Sequence, residues 1–308
     1  MARHIGIDVG GTKTHVMWTG PSMAENETIV PTSDWARTPV LQDPDNLAHL
    51  AMLLGERVGD LRGASIVVGL HGGDTAQQRD IARAFLATHL SAQVEVVNDA
   101  QLLGPAAGVE PCISVVAGTG AIVVGTDATG ATLTADGYGW MLSDRGSAPA
   151  LTREAVIQVL RYADRHATQA ALTEPLGRAL SQALGARDAF ELAATFTHQP
   201  SAAEWGALAP VVFDAARAGS ELAQEVIDQA GQDLANGVHA VLGRGAVAEA
   251  VVAAGGVITN QPLLANSLRD ALEAAEPSLP VHILRQPPVR GALALAMRQG
   301  AGQSGAAG

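Results

Sequence analysis

The sequence has a single cysteine, Cys112, among its 308 residues. One cysteine cannot form an intrachain disulfide, and a chain without a second thiolate offers no cysteine cage for zinc or for an iron–sulfur cluster. The nine histidines include no HxxxH or HxxH pair, the spacings that would bring two imidazoles to one metal. The sequence therefore gives no indication of a thiolate or imidazole metal centre.

Long apolar runs and positive charge are also scarce. No stretch approaches the roughly 18 apolar residues that span a bilayer. Because the first predicted strand begins by Ile5, we expect no signal peptide. The formal net charge is -12, and Lys13 is the only lysine. Because such a chain repels polyanions, we expect no nucleic acid as its partner. From the lack of a spanning run and of a predicted signal peptide, we expect a cytoplasmic protein with no membrane partner.

The residues that are abundant favour an α/β fold. Hydrophobic residues make up 47% of the chain and charged residues 16%, which is typical of a folded globular protein. Aromatic residues are only 3%, so helices packed closely on a sheet suit the composition better than an aromatic-rich sandwich. A chain of 308 residues exceeds the size of one ordinary hydrophobic core, which predicts two domains or one large α/β domain.

Two predicted hairpins share the same turn chemistry. Apolar residues alternate over residues 4–9, Gly10 and Gly11 break the run, and apolar residues resume at 16–18. The turn Gly118-Thr119-Gly120 lies in the same way between apolar runs at 113–117 and 121–125. This repeat predicts two related halves.

The remaining periodicity predicts strands alternating with helices. Strands at 64–70 and 94–97 flank a helix at 76–90, which is the βαβ pattern of a helix-covered sheet. Beyond Gly146 the predicted elements are helices near 148–165, 170–184, 188–197, 202–218 and 220–243, a strand at 251–254, a helix at 262–275, a strand at 281–284 and a helix at 290–297.

The first glycine turn has the composition of an anion-binding loop. Gly10 and Gly11 let backbone amides approach an anion closely, and the run Thr12-Lys13-Thr14 adds donors. The spacing is neither that of a P-loop nor GxGxxG, and each turn taken alone also fits a plain hairpin. Two such turns facing each other across a cleft would bind the phosphates of a nucleotide from both sides. Asp8 is either an ordinary strand-end residue or the water-mediated anchor of a magnesium ion.

Two further acidic residues lie at predicted element boundaries. Asp99 follows a buried strand, where ligand-contacting groups lie in α/β sheets, but it would equally well cap the helix predicted at 100–107. Asp144 and Ser147 lie in a glycine-bounded stretch before a helix, and they serve either as its N-cap region or as ligand contacts. In the second case Trp140 would line the ligand site instead of packing in the core.

Seven short motifs in order carry a family resemblance. They are IGIDVGGTKT near the start, GLHGGD at 69–74, VVNDA at 96–100, SVVAGTGA at 114–121, GYGWMLSDRGSA at 137–148, VVAAGGV at 251–257 and PPVRGAL near the end. Together they cover almost the whole chain. The combination resembles the N-acetylglucosamine kinase branch of the actin/hexokinase/Hsp70 ATPase superfamily, grouped with the BadF/BadG/BcrA/BcrD-type ATPases.

The resemblance implies an α/β protein of two ribonuclease H-like, actin-like ATPase domains around a central nucleotide and sugar cleft. The expected N-terminal domain covers residues 1–112. The expected C-terminal domain covers 113–288 with helical insertions. A C-terminal helix at about 289–300 would return to the N-terminal domain, and 301–308 would form a flexible tail.

The resemblance also implies an ATP- and magnesium-dependent kinase of N-acetylglucosamine or a related amino sugar, which we expect to be a homodimer. Asp99 would be the general base and Asp8 the magnesium-side carboxylate. The residues implied at ATP are Gly10, Gly11, Thr12, Lys13, Thr14, Gly118, Thr119 and Gly120 around the phosphates and Gly255 and Gly256 near the adenosine. The residues implied around the sugar are Gly72, Gly73, Asn98, Asp99, Thr119 and Asp144.

The chain departs from the family pattern on the sugar side. The family often reads LGDEGSG where this chain reads LSDRGSA, so Ser143 replaces a glycine and Arg145 replaces a glutamate. The asparagine-containing substrate loop is also missing at 32–37. Glucosamine, another hexosamine or acylated amino sugar, and glucose therefore stay open as acceptors. The alternatives from other classes are an activator ATPase of the BadF/BcrA type, which would need more cysteines than Cys112, and a catalytically silent sugar sensor.

Overall fold

The computed structural model describes residues 3–20, 23–37, 39–198, 200–276 and 278–304. The chain divides into two compact units. The first comprises Met1–Glu110 and Gln286–Gly308, and the second comprises Pro111–Arg285.

The first unit is built on a five-stranded mixed sheet. Its strands are β1 (His4–Val9), β2 (Lys13–Thr19), β3 (Glu25–Pro31), β4 (Ser65–Leu70) and β5 (Gln93–Asn98), in the order β3-β2-β1-β4-β5. The first three strands are antiparallel, whereas β4 and β5 run parallel to β1. In that register Val9 pairs with Leu70 and Leu70 pairs with Asn98, so three parallel strands end at one edge of the sheet.

Alternation along the central strands buries both faces of this sheet. Ile5, Ile7 and Val9 join the core cluster that includes residues of α1 (Pro44–Val58) and α2 (Ala76–Leu90). On the opposite face, α13 (Val289–Ser304) packs against β1, β4 and α3 (Leu103–Ala107). Because strand side chains alternate in direction, each parallel strand supplies apolar groups to two helical layers.

The helices of this unit begin at recognisable capping residues. Thr75 and Gln78 form a reciprocal capping box at the start of α2, which has the bounds predicted from the sequence. Asp43 caps α1, and Pro44 occupies its first position. The strand β3 and the helix α1 lie outside the predicted elements.

The second unit repeats the strand order of the first. Its strands are β6 (Cys112–Ala117), β7 (Ala121–Thr126), β8 (Thr132–Asp136), β9 (Ala250–Ala254) and β10 (Val281–Ile283), in the order β10-β9-β6-β7-β8. Three antiparallel strands are again followed by two strands parallel to the first. Both predicted hairpins are therefore confirmed, and each opens a sheet of the same topology.

Nine helices are described in this unit. They are α4 (Ala148–His166), α5 (Thr168–Thr173), α6 (Pro175–Leu184), α7 (Ala189–His198), α8 (Ala202–Ala207), α9 (Ala209–Arg217), α10 (Glu221–Gly243), α11 (Gly256–Asn260) and α12 (Pro262–Ala275). The single helices predicted at 170–184 and 202–218 are wrong, since each region contains two. The breaks lie at Pro175 and next to Pro210, because proline lacks the amide that a continuous helix needs.

The last helix is longer than predicted. It continues through 301–304, which the sequence assigned to a flexible tail, and residues 305–308 lie outside the described part of the chain. No helix in the described ranges combines the length and apolar character needed to cross a bilayer.

The contact between β1 and α13 depends on a glycine. A Cβ atom built at Gly6 would lie 2.2 Å from the backbone nitrogen of Leu293. We expect Gly6→Ala to lower the free energy of unfolding by about 2 kcal/mol or more, because backbone atoms of α13 must move. Urea unfolding and amide exchange across α13 measure this effect.

A matched control is Gly55→Ala on the exposed face of α1, where an added Cβ atom meets nothing within 4 Å. There we expect a gain of up to about 1 kcal/mol from helix propensity. Equal stability changes in the two variants would contradict the close approach at Gly6.

Candidate active site

The parallel strand ends of the first unit bring together residues that are far apart in sequence. Asp8 lies near the end of β1, His71 directly follows β4, and Asp99 directly follows β5. The backbone N–H of His71 donates to the carbonyl of Val9 at 2.9 Å, which extends the β1–β4 pairing by one residue. Three ionisable side chains are thus anchored at one edge of a rigid sheet.

The glycine turn between β1 and β2 lies at the same edge. The N–H of Gly10 donates to the carbonyl of Lys13 at 3.0 Å and closes the turn. Gly11, Thr12 and Lys13 are exposed. Their backbone and side-chain donors are therefore accessible to an anion.

The segment after β3 is hydrogen-bonded to this turn and stabilises it. Thr32 donates its backbone N–H to Thr12 at 3.0 Å and its hydroxyl to the Gly10 carbonyl at 2.8 Å. The indole of Trp35 donates to the buried Thr14 hydroxyl at 3.0 Å. Thr14, one of the residues predicted at the nucleotide, therefore has a side chain that supports the turn from inside.

A cavity of about 560 Å³ lies within the first unit beside the turn. Its wall includes Gly10, Gly11 and Gly72, together with His71 and the side chains of Ser33 and Arg37. Its volume is in the usual range of small-molecule sites. No Asp or Glu is among its described lining residues. The region of 32–37, where the sequence departs from the family pattern, thus forms part of the cavity wall.

The two carboxylates of this edge influence each other. Burial and, after it, repulsion from the Asp99 carboxylate together raise the pKa of Asp8 from 3.8 to about 7. Lys13 and His71 act on the pKa of Asp8 in the opposite direction. Asp8 is therefore a site where a further cation would be favoured. No cluster of three or more His, Cys, Asp or Glu side chains suited to a metal occurs in the described ranges.

Asp99 is held through both of its oxygens. Oδ1 accepts the N–H of Ala100 at 3.0 Å, and Oδ2 lies 3.3 Å from Nδ1 of His71. The predicted helix at 100–107 is instead a 3₁₀ turn, Asp99–Leu102, followed by α3. Its N-cap residue is Asn98, so capping does not by itself explain an acidic residue at 99.

Asn98 is engaged by neighbouring groups of the protein. Its Oδ1 accepts the N–H of Ala100 at 3.0 Å, and its Nδ2 donates to Oδ1 of Asp74 at 3.0 Å. Its backbone N–H donates to the Gln101 side chain. A sugar contact by Asn98 stays a prediction, whereas its role in fixing the loop before Asp99 is visible.

The second unit brings its two glycine motifs together. The Gly118 N–H donates to the Gly120 carbonyl at 2.9 Å and closes the β6–β7 turn, on which Thr119 is exposed. A Cβ atom at Gly118 would lie 3.2 Å from the nitrogen of Gly256, and one at Gly255 would lie 2.4 Å from the Ala117 carbonyl oxygen. Side chains at these positions would close the space between the turn and the start of α11.

Asp144 lies against the same turn. A Cβ atom at Gly120 would be 3.2 Å from Oδ2 of Asp144, and Oδ1 accepts the Gly139 N–H at 3.0 Å. The N-cap of α4 is Ser147, not Asp144. Trp140 makes an edge-to-face contact with Trp205 at 5.0 Å and packs against the core, which supports the core interpretation of this residue.

Asp136 organises the loop that carries Asp144, and it was missed in the sequence. Its carboxylate accepts the backbone N–H groups of Asp144 at 3.0 Å and Arg145 at 2.8 Å. The Ser143 hydroxyl and the Arg145 Nε also donate to it. No spacing rule could have indicated this residue, since it acts through a loop that folds back on it. His71 was also missed, although it stands inside the GLHGGD motif.

Comparison with known proteins identifies a family and a shared fold. The sequence model described as the BadF/BadG/BcrA/BcrD ATPase family matches residues 5–297. A structure named as a candidate N-acetylglucosamine kinase from Chromobacterium violaceum is 23% identical, with 96% of this chain and 99% of that chain covered and a TM-score of 0.63. Comparison with curated proteins gave no match.

Two further solved structures share the fold. The candidate N-acetylglucosamine kinase from Porphyromonas gingivalis is 16% identical, covers 98% of this chain and 100% of its own, and has a TM-score of 0.66. A ROK family glucokinase from Streptomyces griseus, in complex with glucose and AMPPNP, is 16% identical, with coverages of 97% and 99% and a TM-score of 0.53. Likeness at these identities shows the fold, and the predicted actin-like α/β class is confirmed.

The raised pKa of Asp8 makes stability depend on pH. Between about pH 4 and pH 7 the unfolded chain has released this proton while the folded chain still holds it, so the free energy of unfolding falls as pH rises. We expect Asp8→Asn to remove roughly 2–4 kcal/mol of that fall. Urea titrations at several pH values measure it.

The control is Asp80→Asn, which changes an exposed carboxylate on α2. Its pH dependence should follow that of the unchanged chain. The interpretation of Asp8 is wrong if the stability difference between Asp8→Asn and the unchanged chain is the same at pH 4 and at pH 8.

Proposed function

The chain belongs to the BadF/BadG/BcrA/BcrD ATPase family, and on that premise we propose that it is an ATP- and Mg²⁺-dependent kinase of an amino sugar of the N-acetylglucosamine type. One observation carries the proposal. A glycine turn with accessible donors, two carboxylates and a cavity of about 560 Å³ occur at one sheet edge of a single unit. These are the groups that phosphoryl transfer to a hydroxyl requires.

We assign a phosphate-binding hairpin turn to each unit. Gly10, Gly11 and Thr12 offer backbone and hydroxyl donors, and Lys13 adds the only ammonium group of any side chain in the sequence. Gly118-Thr119-Gly120 forms the equivalent turn of the second unit. Gly255 and Gly256 are assigned to the adenosine side, since their lack of side chains keeps the space beside that turn open. Thr14 contributes by supporting the first turn.

Asp8 fits the role of the magnesium-side carboxylate. Burial and the nearby Asp99 make its negative charge costly when no cation is present, and a divalent cation would offset that cost. Magnesium commonly keeps most of its waters and needs only one or two protein carboxylates, which agrees with a single carboxylate at this position. When bound, the ion would neutralise charge on the transferred phosphoryl group.

Asp99 is proposed to accept the proton of the attacking sugar hydroxyl. It directly follows the buried strand β5, and its two oxygens are oriented by Ala100 and His71. A fixed carboxylate at this edge can remove the proton while the oxygen attacks the γ-phosphate. General bases of this kind contribute about 10²- to 10⁴-fold in rate.

The sugar side rests on fewer observations. Gly72, Ser33 and Arg37 line the cavity of the first unit, and Gly73 follows in the same turn. In the second unit, Thr119 and Asp144 lie around the Gly120 turn. Amino sugars are preferred because two similar structures are named as candidate N-acetylglucosamine kinases. A cytoplasmic location and a homodimer stay predictions, which cell fractionation and light scattering test.

The proposal is tested by measuring ADP release from ATP and Mg²⁺ in the presence of single sugars. The panel is N-acetylglucosamine, glucosamine, N-acetylmannosamine, N-acetylmuramic acid and glucose. We expect one amino sugar to give the highest kcat/KM and the others to fall by about tenfold or more, which corresponds to about 1.4 kcal/mol of transition-state binding. Sugar-independent hydrolysis would favour an activator ATPase, and binding without ADP release would favour a sensor.

The role of Asp99 is tested by Asp99→Asn. We expect kcat to fall about 10²- to 10⁴-fold, while the affinity for ATP stays nearly unchanged, since the amide keeps the shape of the side chain but accepts no proton. Steady-state kinetics and nucleotide titration measure the two quantities. Asp80→Asn serves as the control for loss of a surface carboxylate, and unchanged turnover in Asp99→Asn would reject the assignment.

A further inference from the structure

We propose that His71 is a positioning residue for this reaction, which holds the Asp99 carboxylate in the direction needed to accept the acceptor's proton. The inference rests on the proposed function, and it adds a residue that the sequence motifs left without a role. It is carried by the contacts of the His71 backbone and ring.

The backbone of His71 is fixed by the sheet. Its N–H donates to the Val9 carbonyl at 2.9 Å, as though β4 continued for one more residue. Directly afterwards the chain turns sharply, because Gly72 has a φ of +77° and the N–H of Gly73 donates back to the Leu70 carbonyl at 3.0 Å. Since only glycine adopts that φ readily, the turn holds His71 at the sheet edge.

The imidazole points from this anchor toward Asp99. Its Nδ1 atom lies 3.3 Å from Oδ2 of Asp99, whose other oxygen accepts the N–H of Ala100 at 3.0 Å. The Asp99 side chain is 23% exposed and the His71 side chain 63%. A carboxylate held through both oxygens has lost most of its freedom to rotate, so its remaining lone pairs keep one direction.

The other edge of the ring faces the glycine turn. Cδ2 and Nε2 of His71 lie 3.7 and 3.8 Å from the position that a Cβ atom at Gly11 would occupy. His71 and Gly11 also line the same cavity. The ring therefore extends from Asp99, the proposed base, to the glycine turn proposed to bind the phosphates.

The contact assigns a proton to a particular ring atom. An ionised carboxylate can only accept a hydrogen bond, so Nδ1 of His71 carries the proton when it bonds to ionised Asp99. A hydrogen bond from an imidazole can set the orientation of a reacting carboxylate although the imidazole does not contact the substrate. An alternative within the same pair is that His71 takes the hydroxyl proton itself and Asp99 orients the ring.

Three substitutions separate these roles. The amide of His71→Asn can place an N–H near the position of Nδ1, whereas the amide of His71→Gln reaches toward the position of Nε2, and His71→Ala has neither. We expect kcat to fall roughly tenfold in the Gln and Ala variants and to stay within about threefold of the unchanged chain in the Asn variant, with KM for ATP and sugar nearly constant.

Other patterns of kcat overturn the proposal. Loss of activity in all three variants, with Asn as slow as Ala, would identify His71 as the base or as a structural residue. Full activity in all three would show that Asp99 needs no support from His71. Because the side chain is mostly exposed, the variants should keep the fold, which the melting temperature checks.

A second measurement is independent of activity. Long-range ¹H–¹⁵N correlation spectra of the imidazoles, assigned by comparison with His71→Asn, report which ring nitrogen carries the proton. We expect Nδ1 of His71 to be protonated in the unchanged chain and the signal to shift in Asp99→Asn. A neutral ring protonated only at Nε2 would refute the contact. If the chain phosphorylates no sugar, the proposed function and the catalytic role of His71 fail together, while the spectra still decide the contact.

Discussion

The parallel register of β1, β4 and β5 is the constraint on which the first unit depends. Main-chain hydrogen bonds align Val9, Leu70 and Asn98, so the residues that follow each strand emerge at the same edge. Helices on both faces bury these strands, which leaves little freedom for the register to slip. Chemistry at Asp8, His71 and Asp99 therefore depends on backbone pairing and apolar packing that contact no ligand.

That register also has an electrostatic cost. Burial raises the pKa of Asp8, repulsion from the Asp99 carboxylate adds to the rise, and Lys13 and His71 only partly offset it. A protein selected for stability alone would not keep two carboxylates at one buried edge. The repulsion between the two carboxylates would be offset when a cation binds together with a nucleotide, because the cation's positive charge neutralises the carboxylates.

Much of the fold could be predicted because its signals are local. The Gly10 and Gly118 turns, α2 and the parallel strands follow from glycine, capping residues and apolar periodicity. The strand β3 could not be predicted in this way, because it is a largely exposed edge strand with Val30 as its one buried residue. The residues of the site that were missed, His71 and Asp136, act through side-chain contacts, which periodicity does not encode. His71 contacts Asp99 in another segment, and Asp136 contacts a loop that folds back on it.

The departures from the family pattern at Ser143 and Arg145 are explained by their contacts with Asp136. The Asp136 side chain is 7% exposed and needs donors, which the Ser143 hydroxyl and Arg145 supply. A glutamate at 145 would place a second carboxylate against Asp136, and a glycine at 143 would remove a donor. Asp136, Ser143 and Arg145 therefore form one hydrogen-bonded set, in which both departures from the family pattern supply donors to the same carboxylate. Because Asp136 also accepts the backbone N–H of Asp144, this set holds Asp144 in place, and the replacements by themselves do not argue for a different activity.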